Sequence, residues 1–231
     1  MDAQPQTDNP QFISYEQRGA VAWIMLQRPQ YSNAQNYRLL NQLDAAFKKA
    51  VEDDGISVIV LGAAGKHFSA GHDLGTPEKD RELDRERKLL WWDHRGREGA
   101  EGQYVLEQDV YLGFCRRWQE IPKPMIAMVQ GACIAGGLML AWVCDMIVAS
   151  EDAFFQDPVV RMGVPGVEYF AHAFEMAPRL AAEQPVHLDF PVLHGLGNGL
   201  AAGRLSERVF GKPDIGMVFL RSEEHTSELQ S

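Results

Sequence analysis

The chain has 231 residues, and 45% of them are hydrophobic, enough to bury a sizeable core and to exclude global disorder. A formal net charge of −10 argues against a nucleic-acid binder, whose surface is normally basic. The cysteines, Cys115, Cys133 and Cys144, have no paired spacing and read as reduced, buried thiols rather than a disulfide framework.

Residues 1–11 are polar and read as a flexible N-terminus, with no basic region leading into an apolar one. No uninterrupted apolar run reaches the roughly 18 residues of a membrane span, so a soluble, cytoplasmic protein is expected. VAWIMLQRP (21–29) is rich in strand formers and ends at a proline, a strand and its exit. In NYRLLNQLDAAFKKAVED, Leu39, Leu43, Phe47 and Val51 recur every four residues, which predicts an amphipathic helix. ISVIVLGAAG (56–65) reads as a buried strand, KHFSAGHDL as a loop with a short strand at its start, and PMIAMVQG (124–131) as another buried strand. A glycine-led apolar helix then precedes two short strands, DMIVAS and AFFQDP. Strand, helix and buried strand alternate without a dinucleotide-binding glycine fingerprint, so the class is α/β.

Between 77 and 98, PEKDRELDRERKLLWWDHRGRE carries the helix-neighbour pairs Asp84–Lys88 and Glu82–Arg85, with Leu83, Leu90 and Trp91 as an apolar stripe. A solvated helix lying on the core is expected; the sharper alternative is a lid whose arginines meet phosphate. From 181 to 220 periodicity is weak and glycines cluster at 195–203, so no element is assigned, and a frameshift is one reading of the change in character. Residues 221–231, RSEEHTSELQS, read as the in-frame translation of a sequencing adapter and are set aside.

Two segments carry the chemistry. FSAGHDL (68–74) follows one buried strand, and GACIAGG (131–137) follows the next and opens a helix. Each is a small-residue turn that can aim a backbone N–H into a shared cleft, and two N–H groups on one oxygen make an oxyanion hole for an enolate or tetrahedral intermediate. A helix beginning near Gly137 adds its positive dipole end.

In this order the motifs resemble the enoyl-CoA hydratase/isomerase (crotonase) superfamily over residues 12–180. The resemblance rests on Arg28-Pro29 with Asn33-Ala34, the FSAGHDL loop, PKPMIAMVQGACIAGG, CDMIVAS and FFQDPVVRMGVPG. It implies a spiral of ββα turns, with the C-terminal helical segment missing or replaced. It further implies an acyl-coenzyme A thioester as ligand, with no cofactor beyond the coenzyme A of the substrate, and a homotrimer or dimer of trimers. By position, the oxyanion-hole amides are those of His72 and Gly136. Arg28, Ala70, Asp73, Leu74 and Gly137 are the expected substrate-binding residues.

The chain departs from the hydratase pattern at two places. The family's catalytic glutamates fall on Met139 and Pro158, and neither can act as the general acid or base that hydration needs. The candidate replacements are Glu168, after the Pro165-Gly166 turn, and Asp157, although adjacent strand residues face opposite ways. His172 and Glu175 share a helical spacing with Glu168, and a solvated face is the plainer reading. The imidazole of His72 is an acid–base candidate near neutral pH, against the plainer reading that it fills the pocket. His67, His72 and Asp73 lack the surrounding ligand spacing of a metal site, Ser69 has no paired base for nucleophilic catalysis, and Asp145 reads as a structural cap. The favoured function is therefore an acyl-CoA-processing enzyme using isomerase or other one-base chemistry. The alternative is a non-catalytic acyl-CoA-binding protein of the same fold.

Overall fold

A computed structural model describes residues 10–79, 86–88 and 93–162, with 215–218 as backbone. The chain begins with an antiparallel hairpin, β1 (Ile13–Arg18) and β2 (Val21–Leu26), turned at Gly19 in the left-handed region. Helix α1 (Tyr37–Glu52) follows, capped by Asn36, whose side chain accepts the Leu39 N–H at 2.9 Å. Its inward face is Leu39, Leu40, Leu43, Ala46, Phe47 and Ala50, the stripe that its periodicity predicts.

Strand β3 (Val58–Ala63) lies parallel to β2. Beyond the charged stretch come α2 (Gly99–Leu106) and α3 (Leu112–Gln119), joined by a π-helical turn at Glu107–Tyr111. Next are β4 (Met125–Val129), β5 (Ala132–Ile134), α4 (Gly136–Trp142), β6 (Met146–Ser150), β7 (Phe154–Gln156) and a 3₁₀ turn at Val159–Met162. Strand β8 (Ile215–Val218) pairs antiparallel with β6, inside the stretch to which the sequence assigned no element.

The large sheet has the order β1-β2-β3-β4-β6-β8, with β2, β3, β4 and β6 mutually parallel. These strands are apolar on both faces, as expected where a parallel sheet is covered on both sides. On the helix side Ile24, Leu26, Ile59, Leu61, Ala127 and Ile147 join Phe47, Phe114 and Trp118 in the main core. On the other side Trp23, Val60, Ile126 and Val148 form a small second layer.

The second layer of backbone is what positions the site. β5 and β7 pair in parallel, and the ladder is extended by isolated parallel bridges between Ser69 and Cys133 and between Gln35 and His72. Each turn of the chain thus contributes a long strand to the main sheet and a short extended segment to this ladder before its helix begins. This is the expected ββα spiral.

Of the 77–98 stretch expected as a helix, 77–79, 86–88 and 93–98 are described, and these run irregularly. Three of these described residues reach neighbouring helical segments. The Glu86 amide donates to the Tyr37 hydroxyl, Lys88 Nζ reaches Asn41 Oδ1 and the Phe114 ring, and Arg87 pairs with Asp109. Glu82, Leu83, Asp84, Arg85, Leu90 and Trp91 lie outside the described residues. One expectation is corrected: the GACIAGG segment, expected as a loop, contains β5, which pairs with β7 while the Ile134 N–H donates to the Ser69 carbonyl and the Ser69 N–H to the Ala132 carbonyl. Among the described residues no helix is long and apolar enough to cross a membrane.

Candidate active site

The first scaffold of the site is the turn at 28–36. Asn33, buried and at φ 52°, accepts the Arg28 N–H on Oδ1 at 2.8 Å and donates through Nδ2 to the carbonyls of Ala64 (2.9 Å) and His67 (2.8 Å). One amide side chain thereby ties the end of β2 to the end of β3. Asparagine tolerates the left-handed region and supplies both hydrogen-bonding senses, which explains its use here.

Arg28 and Asp73, both expected at the substrate, are buried against each other, their side chains 0% and 1% exposed. Arg28 Nη2 donates to Asp73 Oδ2 at 2.9 Å and to Glu78 Oε2 at 3.0 Å, and Nη1 donates to the Ala34 carbonyl. The guanidinium lies between the rings of Phe12 and Tyr31. Asp73 also accepts the Thr76 amide at 2.9 Å and the Thr76 hydroxyl at 2.5 Å. Burial alone would raise the Asp73 carboxyl, but the Thr76 bonds and the Arg28 guanidinium outweigh it and hold the pKa below the ordinary carboxylate value. This ion pair locks the loop that carries His72.

Ser69 is fully buried, and its hydroxyl has a complete set of partners. It donates to the Asn33 carbonyl at 3.0 Å and accepts the Gly71 N–H at 3.2 Å and Gln35 Nε2 at 3.0 Å. Such a hydroxyl is a structural joint, in keeping with the absence of a nucleophile motif. His67 Nδ1 accepts the Ala132 N–H at 3.0 Å, which accounts for this histidine as a brace between the two loops. Asp145 Oδ2 accepts the Met125 N–H at 2.9 Å, the structural role expected of it.

Glycines bring the two loops into contact. Gly71 has φ +96°, and a β-carbon there would lie 2.9 Å from the Ile134 carbonyl and 3.3 Å from the Gly136 nitrogen. A β-carbon on Gly137 would lie 2.6 Å from the Ser69 carbonyl oxygen. On Gly136 it would meet Gln35 Oε1 at 3.1 Å and His72 Nε2 at 3.2 Å. Gly136 and Gly137 therefore serve close approach, while the unusual backbone geometry falls on Ala135, at φ 48° and ψ −114°. The Ala135 N–H donates to the Gln156 carbonyl at 2.9 Å, so the strained residue is held by β7.

The structure thus places His72 and Gly136 side by side. His72 also packs on Tyr111, with ring centroids 4.7 Å apart. Asp157 leaves β7 beside the exit of β5; it is buried, and its Oδ1 accepts the Val159 N–H at 3.1 Å. Met139 is buried in the core from the middle of α4. Ala70 is exposed and donates its N–H to the Ser32 carbonyl, and Leu74 is 67% exposed. Glu168, His172 and Glu175 lie outside the described residues.

Sequence reasoning missed Gln35 and Tyr111. Gln35 adjoins the recognised Asn33-Ala34 pair, which was the available signal. Tyr111 lies on a helical stretch that composition did not single out.

The enoyl-CoA hydratase/isomerase family model matches residues 16–183. The chain belongs to the enoyl-CoA hydratase/isomerase family. A Mycobacterium tuberculosis protein named as an enoyl-CoA hydratase, EchA13, is 42% identical over 179 residues, covering 75% of this chain and 56% of the relative. The mouse mitochondrial Delta(3,5)-Delta(2,4)-dienoyl-CoA isomerase is 31% identical over 147 residues, covering 62% of this chain and 42% of the isomerase. Among solved structures, a Mycobacterium smegmatis protein titled as an enoyl-CoA hydratase superposes with a TM-score of 0.64 at 44% identity, covering 77% of this chain and 65% of that one. The chain spans about half the length of the curated relatives it matches. The names of these relatives include both hydratase and isomerase.

Proposed function

We propose that this family member binds an acyl-CoA thioester and stabilises its enolate with the backbone amides of His72 and Gly136. The observation that carries the reading is the contact between the two loops: Gly71 and Gly137 stand where a β-carbon would collide with backbone oxygens, Gly136 stands where one would crowd Gln35 and His72, and together they let the His72 and Gly136 backbones approach. Preorganised N–H donors of this kind act where charge develops, and losing one typically costs about 10²–10³ in rate.

The reaction proposed is a double-bond shift or another one-base conversion rather than water addition. Hydration requires a general acid and a general base, and the hydratase pattern of the family places them at the positions held here by Met139 and Pro158. Met139 is buried in the core and Pro158 has no titratable group. Arg28 and Asp73 contribute by fixing the His72 loop; Ala70, Leu74 and Gly137 border the path of the thioester. No cofactor beyond the coenzyme A of the substrate is invoked, and a homotrimer or dimer of trimers is the proposed assembly.

The test is incubation with crotonyl-CoA and with a 3-enoyl-CoA, followed by mass spectrometry and NMR. A double-bond shift without mass gain supports the reading. Addition of water to crotonyl-CoA overturns the one-base assignment. Binding of both thioesters without conversion of these or of a wider acyl-CoA panel replaces the enzyme by an acyl-CoA-binding protein.

A further inference from the structure

The proton-handling group missing from positions 139 and 158 has a candidate inside the loop contact itself. His72 faces Gly136 with the Nε2–Cε1 edge of its ring, at 3.2 Å and 3.3 Å from the place of a β-carbon. Both ring nitrogens are shielded from solvent, and the Tyr111 ring packs on the imidazole. The imidazole is therefore held against Gly136 and Tyr111, next to the amides that would bind the thioester oxygen.

Gln35 supplies the second observation. Its backbone pairs with the His72 loop, Gln35 N–H to the Gly71 carbonyl and Asp73 N–H to the Gln35 carbonyl, at 2.8 Å and 2.9 Å. The Ser69 hydroxyl donates its only proton to Asn33, so Gln35 must present Nε2 to Ser69, and this fixes the amide orientation. Oε1 then points to the opposite side, 3.1 Å from the same β-carbon position on Gly136. This buried carbonyl oxygen accepts from none of the described residues. A desolvated acceptor is costly unless some state of the site employs it, and here it stands beside an imidazole.

We propose that the imidazole of His72 is the proton-transfer group of this site, with Gln35 as its positioning residue; the inference rests on the acyl-CoA reading above. In the forward step the C–H bond at the thioester α-carbon breaks and its proton passes to Nε2 of the neutral imidazole. The electron pair forms the enolate double bond, and negative charge moves to the thioester oxygen between the His72 and Gly136 amides. The Gln35 carbonyl presents its negative end to the imidazolium so formed. Return of the proton to the γ-carbon of a 3-enoyl thioester shifts the double bond, and return to the α-carbon gives exchange.

The backbone role and the side-chain role of His72 can be separated, because His72→Ala removes the imidazole and keeps the amide. The measurement is deuterium incorporation at the α-carbon of butyryl-CoA in heavy water, alongside turnover of a 3-enoyl-CoA and butyryl-CoA affinity. His72→Ala and His72→Gln are expected to lower exchange and kcat by about 10²–10⁴-fold while affinity changes little, and added imidazole is expected to restore part of the His72→Ala rate. Gln35→Met is expected to lower kcat by roughly tenfold, less than the about 10²–10³-fold cost of losing a donor in direct contact with the oxyanion, with KM unchanged. Exchange that survives in folded His72→Ala or His72→Gln overturns the inference and leaves the acyl-CoA reading standing, as does loss of exchange in Asp157→Asn alone. Binding without exchange in the unaltered protein overturns it in favour of a binding protein. Failure to bind butyryl-CoA at all removes the acyl-CoA reading as well.

Discussion

His72 Nε2 lies 3.2 Å from the point where Gly136 would carry a β-carbon, whereas the neighbouring Gly137 would meet the Ser69 carbonyl oxygen at 2.6 Å. The two adjacent glycines therefore differ in what an added methyl disturbs. At 137 it strikes backbone, and overpacking of this kind costs about 1–3 kcal/mol. At 136 it strikes the ends of two side chains, which can give way by a few tenths of an ångström, and alanine regains helix propensity of about 1 kcal/mol. Gly137→Ala should lower the melting temperature by several degrees. Gly136→Ala should melt near the unaltered protein and yet lose activity by about 10²-fold, because reacting groups are displaced. Thermal melts paired with turnover of a 3-enoyl-CoA decide this, and an inversion of the two effects would contradict the packing argument.

Asn33 gives a second prediction. Its Nδ2 donates to two carbonyls and its Oδ1 accepts from the Arg28 amide. Asn33→Asp is nearly isosteric but places a carboxylate oxygen against the carbonyls of Ala64 and His67 in a buried site. Loss of both bonds with an unsatisfied charge should destabilise the fold by about 3 kcal/mol or more. Urea denaturation at neutral pH measures this; a cost below about 1 kcal/mol would mean the turn is held by Arg28 alone.

Ala135 offers the opposite sign. A non-glycine residue at φ 48° and ψ −114° carries strain of about 1–3 kcal/mol. Ala135→Gly relieves it, against about 0.4–1 kcal/mol of added unfolded-state freedom. The substitution should raise stability by up to about 2 kcal/mol, the difference between those two terms, a rise in melting temperature of a few degrees for a chain of this size. A fall in stability would show that the methyl group packs usefully against Gly71, from whose β-carbon position it lies 3.2 Å away.

The elements most legible in the sequence were those whose burial is one-sided or complete. The spacing of Leu39, Leu43 and Phe47 predicts α1, and the apolar runs at 56–65 and 124–131 predict β3 and β4, because hydrophobic patterning there directly reflects the core. β5 is not legible in the sequence because three residues carry too little pattern, and the pairing that makes them a strand comes from Ser69 and from Phe154–Gln156, distant in sequence. The stretch 99–119 has an irregular apolar pattern, consistent with the π-helical turn at Glu107–Tyr111 that shifts its phase midway. At the site, motif order located His72 and Gly136, but the reason for the glycines was legible only in three dimensions. Within the two loops the positive φ values fall on Gly71, Gly131 and Ala135 rather than on Gly136 or Gly137. Gln35 has an ordinary local sequence, and its role depends on a hydroxyl orientation set by Asn33.

The Arg28–Asp73 pair yields a prediction in pH. The folded-state pKa of Asp73 is held below its ordinary value of 3.8 by Thr76 and Arg28 acting against burial. A carboxyl depressed on folding adds stability that is fully present above the unfolded-state pKa and is lost as pH falls through the folded-state one. Asp73→Asn keeps the shape of the side chain but leaves the buried guanidinium with Glu78 as its remaining carboxylate, itself 40% exposed. Breaking one side of a buried pair typically costs about 3–5 kcal/mol, and the partial substitution by Glu78 places the expected loss at neutral pH near about 3 kcal/mol. Because the asparagine does not ionise, the stability gap between the two proteins should be constant from neutral pH down to about the ordinary carboxylate value. Below it the gap should narrow, since the unaltered protein is losing what the variant already lacks. Urea midpoints measured for both proteins over a pH series test this directly. A gap that stays constant well below pH 3.8, the ordinary value, would show that Asp73 acts through shape and hydrogen bonding rather than through its charge.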